Sequence, residues 1–262
     1  MEMAVSIKIE DLSIGYKSGK RTRTVASGLN ATVEGGRLTC LIGQNGAGKS
    51  TLLRTMANFQ PKLSGKVLIG NRDMATLEPK KIARTVSVVL TSRPDALNMT
   101  VREIVGLGRT PYTGFWGTLG EKDREVVEQS IETVGISHIA ESQACGISDG
   151  ERQKMMTAKA LAQQVPVIIL DEPTAFLDYP SKVETMRLLM RLAHEESKTI
   201  LMSTHDLELA LQTADMLWLM SKGGVLHTGT PRQLADNGCL SEFIERQGIR
   251  FDASSMRIMI GK

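Results

Sequence analysis

The run Gly43-Gln44-Asn45-Gly46-Ala47-Gly48-Lys49-Ser50 constrains this chain more than any other stretch of it. It follows a short apolar segment, Leu38–Ile42, that reads as a strand, and it opens a helical pattern at Lys49. Strand, glycine loop and helix in that order are the setting in which GxxxxGK[ST] spacing has a physical meaning. The glycines let successive backbone N–H groups turn toward one point. The helix start adds partial positive charge there and Lys49 adds a full one. The expected ligand is a phosphate chain, with Gly43, Asn45, Gly46, Ala47, Gly48, Lys49, Ser50 and Thr51 as its contacts and the Ser50 hydroxyl as a ligand of Mg²⁺. The bland alternative is a glycine-rich turn that binds nothing.

A second constellation lies far downstream. Val167-Ile168-Ile169-Leu170 is a continuous apolar run ending in Asp171-Glu172, and strand ends of this kind carry ligands in open α/β sheets. One carboxylate, Asp171, is suited to orienting a hydrated Mg²⁺. The other, Glu172, is suited to polarising a water aligned with a γ-phosphate. Carboxylates that merely solvate a strand end are the competing reading. Together the two motifs describe a phosphate-loop NTPase, a class that spans kinases, GTPases, helicases and transport motors.

The pattern between them organises the chain. Strand signals at Val5–Ile9, Leu38–Ile42, Leu63–Ile69 and Thr85–Leu90, with a turn-rich Lys17–Arg23, mark the first part as strands and turns, and the fold is expected to include an N-terminal antiparallel β part. From Thr100 to about Gln164 apolar residues recur at helical spacing, as in Val126, Val127, Ile131 and Val134. Val167–Leu170, a helix through Val183, Met186, Leu189 and Met190, and a strand at Thr199–Ser203 then form a βαβ unit, hence a mostly parallel sheet. The expected architecture is an α/β phosphate-loop core at 1–90 and 165–262 with a helical subdomain inserted at 91–164. Arg250–Ile260 alternates enough for a terminal strand or hairpin.

At Ile147-Ser148-Asp149-Gly150-Glu151-Arg152-Gln153 the chain resembles the signature of ATP-binding cassette proteins, usually LSGGQ, placed between the other two motifs as that family requires. Ser148 and the Gly150 backbone at a helix start are sensible donors to an anion, although an ordinary helix cap has the same residues. The resemblance continues in Ala175-Phe176-Leu177-Asp178, the D-loop, and in Ser203-Thr204-His205-Asp206, the switch-histidine loop. Tyr16 matches the aromatic that stacks on adenine. Val101-Arg102-Glu103-Ile104-Val105-Gly106-Leu107-Gly108-Arg109-Thr110-Pro111 is similar to the iron-siderophore, haem and cobalamin importers of the family; a helix capped by Gly108 is its plain reading.

The resemblance implies an ATPase using ATP and Mg²⁺. Lys49 would stabilise phosphate charge, Glu172 activate water and His205 sense the γ-phosphate. Ser148, Gly150 and Glu151 would complete the ATP site of a second copy paired head to tail. Integral membrane permease subunits and an external substrate-binding protein would be the other partners, with the chain peripheral on the cytoplasmic face of the inner membrane. The family's glutamine after Val86–Leu90 is replaced by Thr91, whose shorter hydroxyl reaches a metal-bound water only through another water. A soluble cassette ATPase of the iron–sulfur cluster assembly type shares every catalytic motif, and a nucleotide-dependent regulator with little hydrolysis is a third reading.

Composition narrows the field further. The 262 residues carry a net charge of only +3, which gives no reason to expect a nucleic-acid partner. The cysteines, Cys40, Cys145 and Cys239, lack CxxC or metal spacing, and no stretch reaches the ~18 apolar residues of a membrane span. Lys17, Lys20, Arg21 and Arg23 read as a solvated basic turn. Pro111–Trp116 concentrates much of the scarce aromatic content, as an exposed docking surface would.

Overall fold

The computed structural model describes residues 4–19, 21–90 and 98–260. Thr91 and Lys20 lie outside the described residues. An antiparallel pair opens the chain, β1 (Ile7–Ser18) and β2 (Arg21–Val33), followed by β3 (Leu38–Gly43), α1 (Lys49–Met56), β4 (Ser64–Ile69) and β5 (Arg72–Asp73). Next come α2 (Pro79–Ala83), β6 (Val86–Val89), α3 (Val101–Gly106), α4 (Glu121–Thr133) and α5 (Asp149–Ala162). The second half runs β7 (Val167–Asp171), α6 (Tyr179–His194), β8 (Thr199–Thr204), α7 (Leu207–Thr213), β9 (Met216–Met220) and β10 (Leu226–Gly229). It ends with α8 (Pro231–Asp236), α9 (Cys239–Ile244), β11 (Ile249–Asp252) and β12 (Arg257–Ile260).

The strands form an antiparallel sheet in the order β2-β1-β4-β5, a second sheet in the order β10-β9-β3-β8-β7-β6, and the terminal hairpin β11-β12. In the second sheet β3, β6, β7, β8 and β9 are parallel, and β10 runs antiparallel at its edge. Its central strands β3, β7 and β8 are buried throughout because both faces are covered. Leu41, Ile169 and Leu201 face a core shared with Ile7, Ile9 and Ile14 of β1 and with Leu52, Leu53 and Met56 of α1. Their neighbours Leu38, Cys40, Ile168 and Leu170 face a separate core with Met186 and Leu189 of α6. The phosphate-loop helix is therefore packed between the two sheets. Cys40, at the heart of the second core, has its thiol pKa pushed up by burial and by the charge of Asp215.

A third core joins α3, α4 and α5 through Val101, Ile104, Val105, Val126, Val127, Ile131, Met155 and Ala158. Two polar side chains tie this helical part down. Gln163 Nε2, just after α5, donates to the carbonyls of Ala83 and Val86 at the start of β6. Arg109 donates to Asp123 Oδ1 at 2.9 Å, to the Ala162 carbonyl at 2.9 Å and to Gln164 Oε1 at 3.0 Å, and its guanidinium lies over the Tyr112 ring.

Some expectations need correction. Lys17–Arg23 is mostly strand: β1 and β2 continue to Ser18 and from Arg21, because Gly15 lets β2 cross close to β1. Gly108 is not a left-handed helix cap. It lies in a tight turn where an added Cβ would come within 2.3 Å of the Lys159 carbonyl, so glycine is required by the close approach of α5. Of the aromatic cluster, Phe115 and Trp116 are exposed and meet edge to face, whereas Tyr112 is covered by Arg84 and Arg109.

Candidate active site

The loop between β3 and α1 owes its shape to packing. Gly48 precedes α1 with φ at 106°, a conformation for glycine, and a Cβ there would lie 2.5 Å from Val25 Cγ1. At Gly43 a Cβ would lie 2.7 Å from the Met220 carbonyl of β9. No side chain caps α1, so its first N–H groups are left for a ligand. Lys49 Nζ folds back to donate to the Gly43 carbonyl at 2.8 Å. Burial pushes its ammonium pKa down, while the Glu172 and Asp171 carboxylates act in the opposite direction.

Parallel pairing of β7 with β8 sets Asp171 beside Ser203. The Ser203 hydroxyl donates to Asp171 Oδ1 at 2.7 Å and accepts from the Glu172 amide at 2.9 Å. Glu172 sits at φ 53°, a left-handed conformation costly for a side-chain-bearing residue and frequent where function fixes the backbone. Its carboxylate reaches His205, with Oε1 2.6 Å from Nε2, and the same nitrogen lies 3.5 Å from Lys49 Nζ. Sequence reasoning missed Ser203 as a site residue; the available signal was a hydroxyl ending a strand otherwise as apolar as Ile200-Leu201-Met202.

These elements enclose a cavity of about 470 Å³ lined by Tyr16, by Asn45, Gly46 and Gly48 to Thr51, and by Glu172 and His205. Gly43 and Ala47 shape the loop without lining the cavity. The Tyr16 hydroxyl is 2.9 Å from Thr51 Oγ1, which fixes one edge of the ring to the first turn of α1 and leaves the ring half exposed. Arg23 and Val25 also line the cavity, so the reading of Arg23 as part of a solvated turn is corrected.

The residues present suit a hydrated, oxygen-ligated divalent cation. Asp171 is fully buried, yet its Oδ2 has no hydrogen-bond partner among the described residues. A hard cation or its water is the usual reason to keep such an oxygen, and the Ser50 hydroxyl on the cavity wall is a second oxygen donor.

Ser148, Gly150 and Glu151 are not in this cavity. Ser148 caps α5 in a reciprocal box: its hydroxyl accepts from the Glu151 amide at 3.3 Å, and its own amide donates to Glu151 Oε2 at 2.8 Å. These bonds to Ser148 hold the Glu151 carboxyl below the usual carboxylate range. Together with Phe176, Leu177 and Asp178 they line a separate cavity of about 620 Å³, which shares no residue with the first. Phe176 is itself exposed and at φ 64°. The chain thus presents two concavities, one lined by the phosphate loop, Glu172 and His205, the other by the start of α5 with Ser148, Gly150 and Glu151.

Comparison with known proteins points the same way. The family model described as ABC transporter matches residues 26–175. An uncharacterized ABC transporter ATP-binding protein of Methanocaldococcus jannaschii is 39% identical, over 94% of this chain and 83% of its own length. The iron(3+)-hydroxamate import ATP-binding protein of Bacillus subtilis is 33% identical, over 92% of this chain and 88% of its own. Among solved structures, a dimeric ATP-binding cassette in a post-hydrolysis state, bound to ADP and Pi, superposes with a TM-score of 0.77 at 25% identity, covering 86% of this chain and 98% of that one.

Proposed function

From the premise that the chain belongs to the ABC transporter family, we propose that it is the ATP-hydrolysing subunit of an importer of the iron-siderophore, haem or cobalamin class. The observation that carries this reading is the single cavity holding Lys49, Ser50, Glu172 and His205 around an uncapped helix start, in a chain one-third identical to an import ATP-binding protein. Ferric enterobactin transport and cobalamin import ATP-binding proteins are similar at 31% and 35% identity.

In this reading the molecule is one cassette domain, with a core at 1–90 and 165–262 and a helical subdomain at 91–164. The amides of the phosphate loop and Lys49 hold the β- and γ-phosphates and stabilise the charge that develops on them. Tyr16 supports the base. Glu172 accepts a proton from the attacking water as its oxygen approaches the γ-phosphorus in line with the departing ADP oxygen. His205 donates to the γ-phosphate, and Ser50 and Asp171 hold Mg²⁺, directly or through its waters. Magnesium held there would supply positive charge against the charge that develops on the phosphates. Ser148, Gly150 and Glu151 of a second copy cover the nucleotide from the other side, so ATP favours closure of a head-to-tail pair and hydrolysis releases it. Thr91, at the family's glutamine position, weakens communication between the permease and the metal site.

No described helix is long and apolar enough to cross a membrane. From the import relatives, the proposed location is peripheral, on the cytoplasmic face of the inner membrane, against permease subunits served by an external binding protein. The test is to trap tagged Glu172→Gln protein with Mg-ATP in its native host, solubilise gently and identify what co-purifies. A polytopic membrane protein supports the transport reading. A soluble scaffold complex without one replaces it with the cluster-assembly reading.

A further inference from the structure

The cavity contains one cation that the family resemblance does not account for. Arg23 is the direct cross-strand partner of Tyr16 in the β1–β2 pair. Directly opposed residues of antiparallel strands project from the same face of the sheet, with Cβ atoms ~5 Å apart. The register that brings them together is locally built: β2 gains an extra residue between the pairs Ile14↔Ala26 and Gly15↔Thr24. Gly15 is also the position where a Cβ would strike the Arg23 carbonyl at 2.2 Å. A glycine and a bulge thus press the Arg23 backbone against the residue preceding Tyr16. The Arg23 guanidinium has neither ion-pair nor hydrogen-bond partner among the described residues, although both side chains line the same cavity.

Position along β2 says which part of a ligand it addresses. Val25 is the residue against Gly48, at the mouth of the phosphate loop. Arg23 is two residues further along the strand, or ~7 Å at the usual rise, on the side of Tyr16 rather than of Lys49. A planar, weakly hydrated cation beside an aromatic ring fixed through its hydroxyl to Thr51 is suited to a flat π-system laid across both.

Resting on the nucleotide reading of this cavity, we propose that Arg23 is a base-binding residue: its guanidinium packs on the purine that Tyr16 supports and contributes little to holding the triphosphate. The experiment measures binding, without turnover, of Mg-ATP and of inorganic tripolyphosphate to full-length Glu172→Gln protein, and to the same protein carrying Arg23→Ala or Arg23→Gln. A cation–π contact of ordinary strength corresponds to a loss of about 3- to 30-fold in ATP affinity. That loss is expected in both variants, with tripolyphosphate affinity unchanged. Because Arg23 is exposed, both variants should melt with the parent. Unchanged ATP affinity overturns the proposal, as does an equal loss for ATP and tripolyphosphate, which would mark Arg23 as a phosphate contact. In either case saturable ATP binding by the parent leaves the proposed function standing; a parent that binds neither ligand removes both.

Discussion

His205 Nε2 lies 2.6 Å from Glu172 Oε1. A ring nitrogen that close to a carboxylate oxygen donates to it, so Nε2 carries the hydrogen and Lys49 Nζ, 3.5 Å away, contributes charge rather than a hydrogen bond. In the proposed roles, the base Glu172 and the γ-phosphate sensor His205 are therefore engaged with each other. A γ-phosphate that takes the His205 donor leaves Glu172 free for water, which links release of the base to arrival of the third phosphate.

Glu172→Gln should bind Mg-ATP with near-parental affinity and hydrolyse it about 100-fold more slowly or worse, the usual consequence of removing a general base. Single-turnover phosphate release measured beside equilibrium binding checks both halves. Parental turnover would remove Glu172 from its assigned role.

Lys49 leads to a pH dependence. Burial holds its pKa below 10.5, and a triphosphate beside it raises that pKa. Between the two values binding takes up a proton. Affinity should be greatest below the lower of the two and fall by up to about tenfold per pH unit above it. Calorimetry in two alkaline buffers of different ionisation enthalpy detects the uptake. Lys49→Met should abolish both the uptake and most of the binding.

Ser203 acts as a positioning residue. Its hydroxyl joins the Asp171 side chain to the Glu172 amide, so Ser203→Ala should cost about 1.5–3 kcal/mol of stability, the range for hydrogen bonds to a charged group. Turnover should drop about tenfold while ATP affinity changes by less than about threefold, since losing one member of a buried network mainly misplaces its neighbours. A parallel loss of kcat and binding would instead indicate general collapse of the site.

Arg109→Ala should destabilise the protein by about 2–4 kcal/mol, because it strips hydrogen bonds from Asp123, Ala162 and Gln164 at once. Arg109 holds the Asp123 carboxyl below its ordinary value of 3.8. The stabilisation is therefore complete above that pH and is lost as pH falls through the lower folded value. Urea midpoints from neutral pH to about pH 3 should show a flatter acid limb in Asp123→Asn than in the parent.

What could be read from the chain itself was what is local in it. The spacing from Gly43 to Ser50, the apolar run before Asp171 and the order of signature and strand all operate over a few residues, where geometry follows from composition. The helical stretch was legible because Val126, Val127, Ile131 and Val134 repeat at one period, and all four are buried. Ser203 and Arg23 were not, because their roles depend on strand register: Ser203 matters only once β8 lies beside β7, and Arg23 only once a bulge sets it opposite Tyr16. The small helices α2, α8 and α9 leave no periodic trace of their own and bury only one or two apolar side chains each.

The separation of the two cavities within one chain has a genetic consequence. In a head-to-tail pair made from one copy damaged at Lys49 and one damaged at Ser148, both defects fall in the same nucleotide site and the other site is assembled from intact parts. Two alleles that are each null should therefore complement when co-expressed, whereas two alleles damaged on the same cavity should not.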